Sequence, residues 1–353
     1  MTDRIADLDP TAIPRIDLAP FLAGSDVDAV AQQIDAACRE FGFFTVVNHG
    51  VDPASCARVA DLAHEFFSLP EAEKAAVAMI HGGRAWRGWF PLHGELTSGA
   101  PDHKEGYYFG RELDPADPRV TAGFPLHGPN LWPTTPSALR PVLTEYLDAL
   151  ESVGCHLVRA ISIGLGLGPD TLANQWFRDP VILLRLFHYP PRVPGAADHG
   201  VGEHTDYGFL TMLWQDQQGG LEVRTDAGWI TVAPDPNVFV CNIGDMLERL
   251  TAGRYRSTPH RVRSPHDGGR ISIPFFFDPD WDAPIGALPI PGSAVPEPTT
   301  RWDDADVHAI DGTYGAYLLA KVTKVFPSLG AAVLQDDVLE DDELNDPSVD
   351  PPG

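Results

Sequence analysis

Gly202-Glu203-His204-Thr205-Asp206-Tyr207-Gly208-Phe209-Leu210-Thr211-Met212-Leu213-Trp214 joins a polar triplet, His204-Thr205-Asp206, to a run of β-branched, aromatic and aliphatic residues. The run reads as a strand from Thr205 to Trp214. On a strand, residues two apart point to the same side, so His204 and Asp206 can share one ligand while a third donor arrives from another strand. That donor is His260, in Ser257-Thr258-Pro259-His260-Arg261-Val262. Two imidazoles and one carboxylate occupy one triangular face of a metal ion and leave the opposite positions open. This is the ligand set of a non-haem Fe(II) site that binds a cosubstrate and oxygen together.

A His-x-acid triplet alone is weak evidence, and the chain holds two more, His93-Gly94-Glu95 and His103-Lys104-Glu105. These lie among Gly, Pro and charged residues with no matching downstream His, and they read as solvated polar turns. Beyond His260 the chain continues through two strand-like runs, His260 to Ser264 and Arg270 to Phe275. The Asp267-Gly268-Gly269 between them is strong turn chemistry, so the runs are expected to form a hairpin. Arg270 and Ser272 then share a face. The Arg fork and the Ser hydroxyl together suit a carboxylate.

Working outward, strand signals crowd the region after residue 180: Val181 to Tyr189, Leu221 to Arg224, Trp229 to Val232 and Val238 to Ile243 join those already named. Short runs separated by turn residues suggest a closed or sandwiched β architecture. Helical periodicity marks Asp26 to Arg39, Pro53 to Phe67, Pro136 to about Leu165 and Tyr314 to Phe326. Residues 79 to 133 lack a clear period, and so long an irregular stretch suggests a functional or lid-like segment. Within it, Arg84-Ala85-Trp86-Arg87-Gly88-Trp89-Phe90 reads as core packing or a substrate wall. The expectation is a mainly β jelly roll wrapped by N- and C-terminal helices. Three regions are expected: a mixed one over 1–135, a long helix with catalytic core over 136–330, and an acidic disordered tail over 336–353. His188 has opposite parity to Tyr189, and His199 falls in a loop. Both are assigned structural or solvent roles.

The net charge of −25 argues against nucleic acid, whose phosphates need a basic footprint. Residues 336 to 353 carry eight acidic residues and no basic ones, which is the composition of a solubilising end. The four cysteines, Cys38, Cys56, Cys155 and Cys241, form neither a Cys-x-x-Cys nor a disulfide framework, as suits a reducing cytoplasm. No secretory signal is visible at Met1 to Pro14, and no apolar run approaches a membrane span.

On these motifs, and on Phe41-Gly42-Phe43-Phe44-Thr45-Val46-Val47-Asn48-His49-Gly50-Val51 near the N-terminus, the chain resembles the isopenicillin-N-synthase-like branch of the Fe(II)/2-oxoglutarate-dependent oxygenases over roughly residues 12 to 330. The resemblance implies a double-stranded β-helix with His204, Asp206 and His260 holding iron. It implies that Arg270 and Ser272, joined by Tyr189, bind the distal carboxylate of 2-oxoglutarate. One departure stands out: many relatives have Asn two residues before that Tyr, where this chain has Phe187. The implied reaction consumes O2 and 2-oxoglutarate, releases succinate and CO2, and hydroxylates, desaturates or cyclises a small organic molecule. Two alternatives fit the residues less fully: an iron-dependent oxidase of the same fold that does not use 2-oxoglutarate, and a zinc hydrolase or metal-bearing binding module. Substrate identity and oligomeric state are not written in the sequence.

Overall fold

The computed structural model describes residues 13–192, 199–265, 268–292, 301–303 and 305–333. The acidic stretch 336–353 lies outside the described residues. Twelve strands run in chain order as β1 (Arg15–Asp17), β2 (Phe43–Val47), β3 (Gly88–Phe90), β4 (Glu105–Gly110), β5 (Pro180–Tyr189), β6 (His199–His204), β7 (Leu210–Gln215), β8 (Leu221–Thr225), β9 (Gly228–Thr231), β10 (Phe239–Ile243), β11 (His260–Arg263) and β12 (Arg270–Asp280). Eight form a major sheet in the order β1-β2-β10-β7-β12-β5-β4-β3, and four a minor sheet, β6-β11-β8-β9. All pairings are antiparallel except β1 with β2. Two sheets with alternating membership along the chain make the jelly roll that the strand spacing suggests.

Burial follows from residue type. The Leu139–Gly164 helix turns Leu143, Tyr146, Leu150, Val153 and Leu157 inward at helical spacing. It packs against β12 and against the helices Val27–Glu40 and Pro53–Phe67. Gly154 lets it approach, since a Cβ there would lie 2.7 Å from the Phe277 ring. A smaller cluster of Ile13, Phe43, Leu221, Val223, Ile230, Val232 and Val240 fills the space beside the minor sheet.

Four expectations change. The run Thr205 to Trp214 is not one strand: β6 ends at His204, and β7, in the other sheet, begins at Leu210. The chain crosses between sheets at Gly208, where a Cβ would lie 2.2 Å from Asp278 Oδ1, so only glycine passes. The hairpin expected at Asp267-Gly268-Gly269 is absent as well, because β11 pairs with β6 and β8 while β12 pairs with β5 and β7. β11 and β12 therefore belong to different sheets, and turn chemistry does not say which sheet the next strand joins; Asp267 itself lies outside the described residues. Finally, the irregular stretch 79–133 contributes β3 and β4 to the major sheet, with β4 buried at all six residues. A strand covered on both faces has no alternation to read. His199 likewise begins β6, opposite Arg263, where a loop was expected.

Candidate metal centre and cosubstrate cavity

His204 and His260 face each other directly across β6 and β11. Their ring centroids lie 4.2 Å apart. His260 Nε2 is 3.8 Å from Asp206 Oδ1. One donor atom from each of the three residues falls within 4.8 Å of the others, a cluster that can hold a metal ion. Asp206 itself lies just past the end of β6, so strand parity does not place it. Two donors from the major sheet do. Thr211 Oγ1 donates to Asp206 Oδ2 at 2.6 Å and Asn242 Nδ2 at 2.7 Å. Thr211 and Asn242 are register partners on β7 and β10. Both donors act on Oδ2, which leaves Oδ1 turned toward the imidazoles.

The imidazoles are oriented in the same way. The ring nitrogen Nδ1 is 2.8 Å from the Gly202 carbonyl in His204 and 3.2 Å from the Thr258 carbonyl in His260. A carbonyl only accepts, so each Nδ1 carries the proton and each Nε2 keeps its lone pair for a metal. Burial, with His260 alongside, pushes the His204 imidazolium well below its ordinary range. Burial disfavours the Asp206 charge, but the two imidazoles and the Asn242 and Thr211 donors outweigh it, and the carboxyl titrates below its usual range. A neutral imidazole and an ionised carboxylate are the states that bind metal.

The triad opens on a cavity with roughly 710 Å³ of empty space, mouth included, also lined by Tyr189 and Ser272. Arg270, opposite Tyr189 on the neighbouring strand, is fully buried with its Cζ 4.8 Å from the Tyr189 ring. One guanidinium nitrogen, Nη2, donates to Gln215 Oε1 at 3.2 Å. Among the described residues, buried Arg270 Nε and Nη1 and Gln215 Nε2 have no hydrogen-bond partner. Three unmet donors on neighbouring side chains, one of them charged, suit an anion: an unmet buried donor is costly and native interiors rarely keep one. The residues therefore fit both a divalent metal and a carboxylate-bearing cosubstrate.

Several residues of the site carry little signature in the sequence. Thr211 and Asn242 are polar positions inside apolar strands, and that contrast was the available signal. The triplets His93-Gly94-Glu95 and His103-Lys104-Glu105 are not solvated turns. Glu95, Lys104 and Glu105 are 1%, 2% and 8% exposed, and the first two line the cavity. Each acid or base has found a counter-charge: Lys104 Nζ lies 2.8 Å from Glu95 and 2.6 Å from Asp102, and Lys74 Nζ 2.7 Å from Glu105. His188 does turn away from the cavity, with Nδ1 2.9 Å from Glu105 and its ring stacked on Phe67. Trp86, Arg87, Trp89 and Phe90 are buried, which settles that stretch as core. Phe187 faces the cavity with Lys104 Nζ 4.6 Å from its ring centroid.

Comparison with known proteins agrees with this geometry. The family described as non-haem dioxygenase in morphine synthesis N-terminal matches residues 13–135, and the 2OG-Fe(II) oxygenase superfamily matches residues 180–279. A probable iron/ascorbate oxidoreductase of Dictyostelium discoideum is 40% identical, covering 95% of this chain and 100% of its own. A 1-aminocyclopropane-1-carboxylate oxidase of Dictyostelium mucoroides is 33% identical over 91% of this chain and 97% of its own. Among solved structures, a full-length Neurospora crassa protein in complex with alpha-KG and thymine superposes with a TM-score of 0.72 at 28% identity, covering 91% of this chain and 97% of that one. The jelly roll, the His–Asp–His cluster and these relatives agree, and the chain belongs to the 2OG-Fe(II) oxygenases of the isopenicillin-N-synthase-like superfamily.

Proposed function

We propose that His204, Asp206 and His260 hold the Fe(II), and that Arg270, Ser272 and Tyr189 seat the distal carboxylate of 2-oxoglutarate. The observation that carries the second half is the set of orphaned donors on Arg270 and Gln215. A carboxylate placed there completes the Arg270 fork, and the Ser272 hydroxyl lies on the same strand face two residues on. Leu213, Leu221 and Val262 line the walls and keep water from competing for those donors. Asp206 supplies charge through Oδ1 while Thr211 and Asn242 hold it still. Bound iron, with 2-oxoglutarate and O2, supplies the oxidant that takes hydrogen from an unactivated carbon as succinate and CO2 are released. The chain's own residues set which carbon is presented.

The relatives named for 1-aminocyclopropane-1-carboxylate and crystallised with thymine support a small polar molecule as the substrate. Hydroxylation is the proposed default outcome. A reducing, cytoplasmic setting suits four free cysteines, three of them buried. No described helix is long and apolar enough to cross a membrane.

The test is an anaerobic Fe(II) titration with and without 2-oxoglutarate. One metal is expected per chain, with 2-oxoglutarate binding only when metal is present. His204→Ala should abolish both, and unchanged affinity in that variant would overturn the ligand assignment. Product formed at full rate without 2-oxoglutarate would overturn the cosubstrate assignment.

A further inference from the structure

The cavity has a second polar end that neither iron nor 2-oxoglutarate uses. Arg185 sits on β5 four residues before Tyr189, about 13 Å along the strand at ordinary rise, with Phe187 between them on the same face. It is 6% exposed and lines the cavity. Its guanidinium carbon lies 4.1 Å from the Tyr108 ring and 4.6 Å from the Phe276 ring, so aromatic packing fixes the plane. The Tyr207 hydroxyl takes up part of its hydrogen-bonding capacity. Among the described residues Nε has no partner, and Nη1 stands 3.6 Å from Glu95 Oε1, too far for a hydrogen bond between those two atoms. Glu95, 1% exposed, lines the cavity beside it. Lys104 and Tyr108 anchor the Glu95 carboxylate.

Charge balance narrows what this end can take. Here Lys104 and Arg185 offset Glu95 and Asp102. At the other end, Fe(II) and Arg270 offset Asp206 and the two carboxylates of 2-oxoglutarate. A ligand of net charge brought between two balanced clusters keeps an unpaired charge out of water, which is strongly unfavourable. A ligand of no polarity leaves Arg185 Nε unmet. A zwitterion satisfies both conditions.

We propose that Arg185 and Glu95 form a clamp for a zwitterionic substrate, an α-amino acid whose carboxylate accepts from Arg185 and whose ammonium donates to Glu95. Its side chain runs past Phe187 and Phe276 toward the metal. The clamp explains why the guanidinium is locked flat and still under-used: its plane is held, and its edge is left for a carboxylate. It deepens the reading of this cavity as an oxygenase site and rests on that reading for the charge balance at the far end and for the destination of the side chain.

The experiment uses the full chain, loaded anaerobically with Fe(II) and 2-oxoglutarate, and titrates a panel of aliphatic and aromatic L-α-amino acids, all of zero net charge, by calorimetry. Each is paired with its decarboxylated amine and its amino-free acid. At least one amino acid should bind, with both of its partners weaker by about tenfold or more, since each loses a charge-assisted contact. Arg185→Lys and Glu95→Gln should weaken that amino acid by a similar factor while Fe(II) and 2-oxoglutarate affinities stay unchanged, which also shows that the variants fold. Failure of every amino acid to bind, or equal binding of the amine or the acid, overturns the clamp. So does preference for a neutral planar ligand such as thymine over all amino acids. The same panel on metal-free protein, where the clamp is intact, keeps the result readable if the chain does not take up Fe(II). That outcome would count against the oxygenase site assignment and not against the clamp.

Discussion

Asp206 holds its position through Oδ2 and offers Oδ1, and the division depends on two neutral side chains. Thr211→Val removes one donor and Asn242→Ala the other. Each is expected to lower Fe(II) affinity by about 10- to 100-fold, as outer-shell losses do, and the pair together more than either alone. Fluorescence titration of metal into each variant checks this. An unchanged affinity would mean the carboxylate needs no holding. Arg270 is the second residue with a measurable consequence. Charge-assisted bonds contribute roughly 1.5–3 kcal/mol each, so Arg270→Ala should raise the 2-oxoglutarate requirement by about one to two orders of magnitude per bond lost. Arg270→Lys should recover part of it, because an ammonium keeps the charge but not the fork. The dependence of succinate release on 2-oxoglutarate concentration is the readout. The His–Asp–His cluster proposed for the metal and the Arg-Ser pair proposed for the cosubstrate stand out in the sequence because their chemistry is rare and their spacing specific. Glu95, Lys104 and Arg185 do not, since a charged residue in a Gly- and Pro-rich stretch reads as solvated until its counter-charge is found in space.

The elements themselves divide the same way. Helices with one apolar stripe announced themselves: Pro53–Phe67 begins and ends where its proline and its periodicity say. β4 did not, because Glu105-Gly106-Tyr107-Tyr108-Phe109-Gly110 is buried along its whole length and has glycines at both ends of its aromatic run. Sheet membership was illegible for a different reason. Whether the chain after Gly208 or Gly269 stays in one sheet or crosses to the other is decided by long-range pairing, which no local turn signal encodes. At the contact between layers, Gly154 is an exception to helix propensity with a packing cause. An alanine in a helix interior ordinarily gains up to about 1 kcal/mol over glycine. Here the added Cβ meets the Phe277 ring, so Gly154→Val should instead destabilise by about 1–3 kcal/mol, the usual cost of overpacking. Urea unfolding decides the sign, and a stabilised variant would refute the close approach.

For the whole molecule, Asp278 links pH to stability. It accepts the Phe209 N–H at 2.7 Å, and burial pushes its carboxyl up to about 7. Near pH 3 the carboxyl is largely protonated in both folded and unfolded chains. From there to about 7 the unfolded chain releases its proton while the folded one keeps it, so this residue's contribution falls as pH rises, by on the order of a few kcal/mol. His49 and His204, whose imidazolium forms burial disfavours, act in the opposite direction across mildly acidic pH. The informative quantity is therefore the difference: Asp278→Asn should flatten the wild-type loss between about pH 4 and 8 in urea midpoints, and parallel curves would exclude the effect. Deleting residues 336 to 353, which carry too little apolar surface to offset the entropy of ordering, should leave folding and turnover nearly unchanged. A large loss of turnover would assign that stretch to the site. The crossing at Gly208 has a further consequence. His204 and His260 belong to the minor sheet, while Asp206 is tethered through Thr211 and Asn242 to the major one, so an ion held by all three is a rivet through both walls of the roll. Such an ion escapes only when the walls part, and the rate at which a chelator strips it becomes a clock for that breathing. A substitution that loosens the seam and spares the three ligands, Gly208→Ala among them, should make the clock run faster.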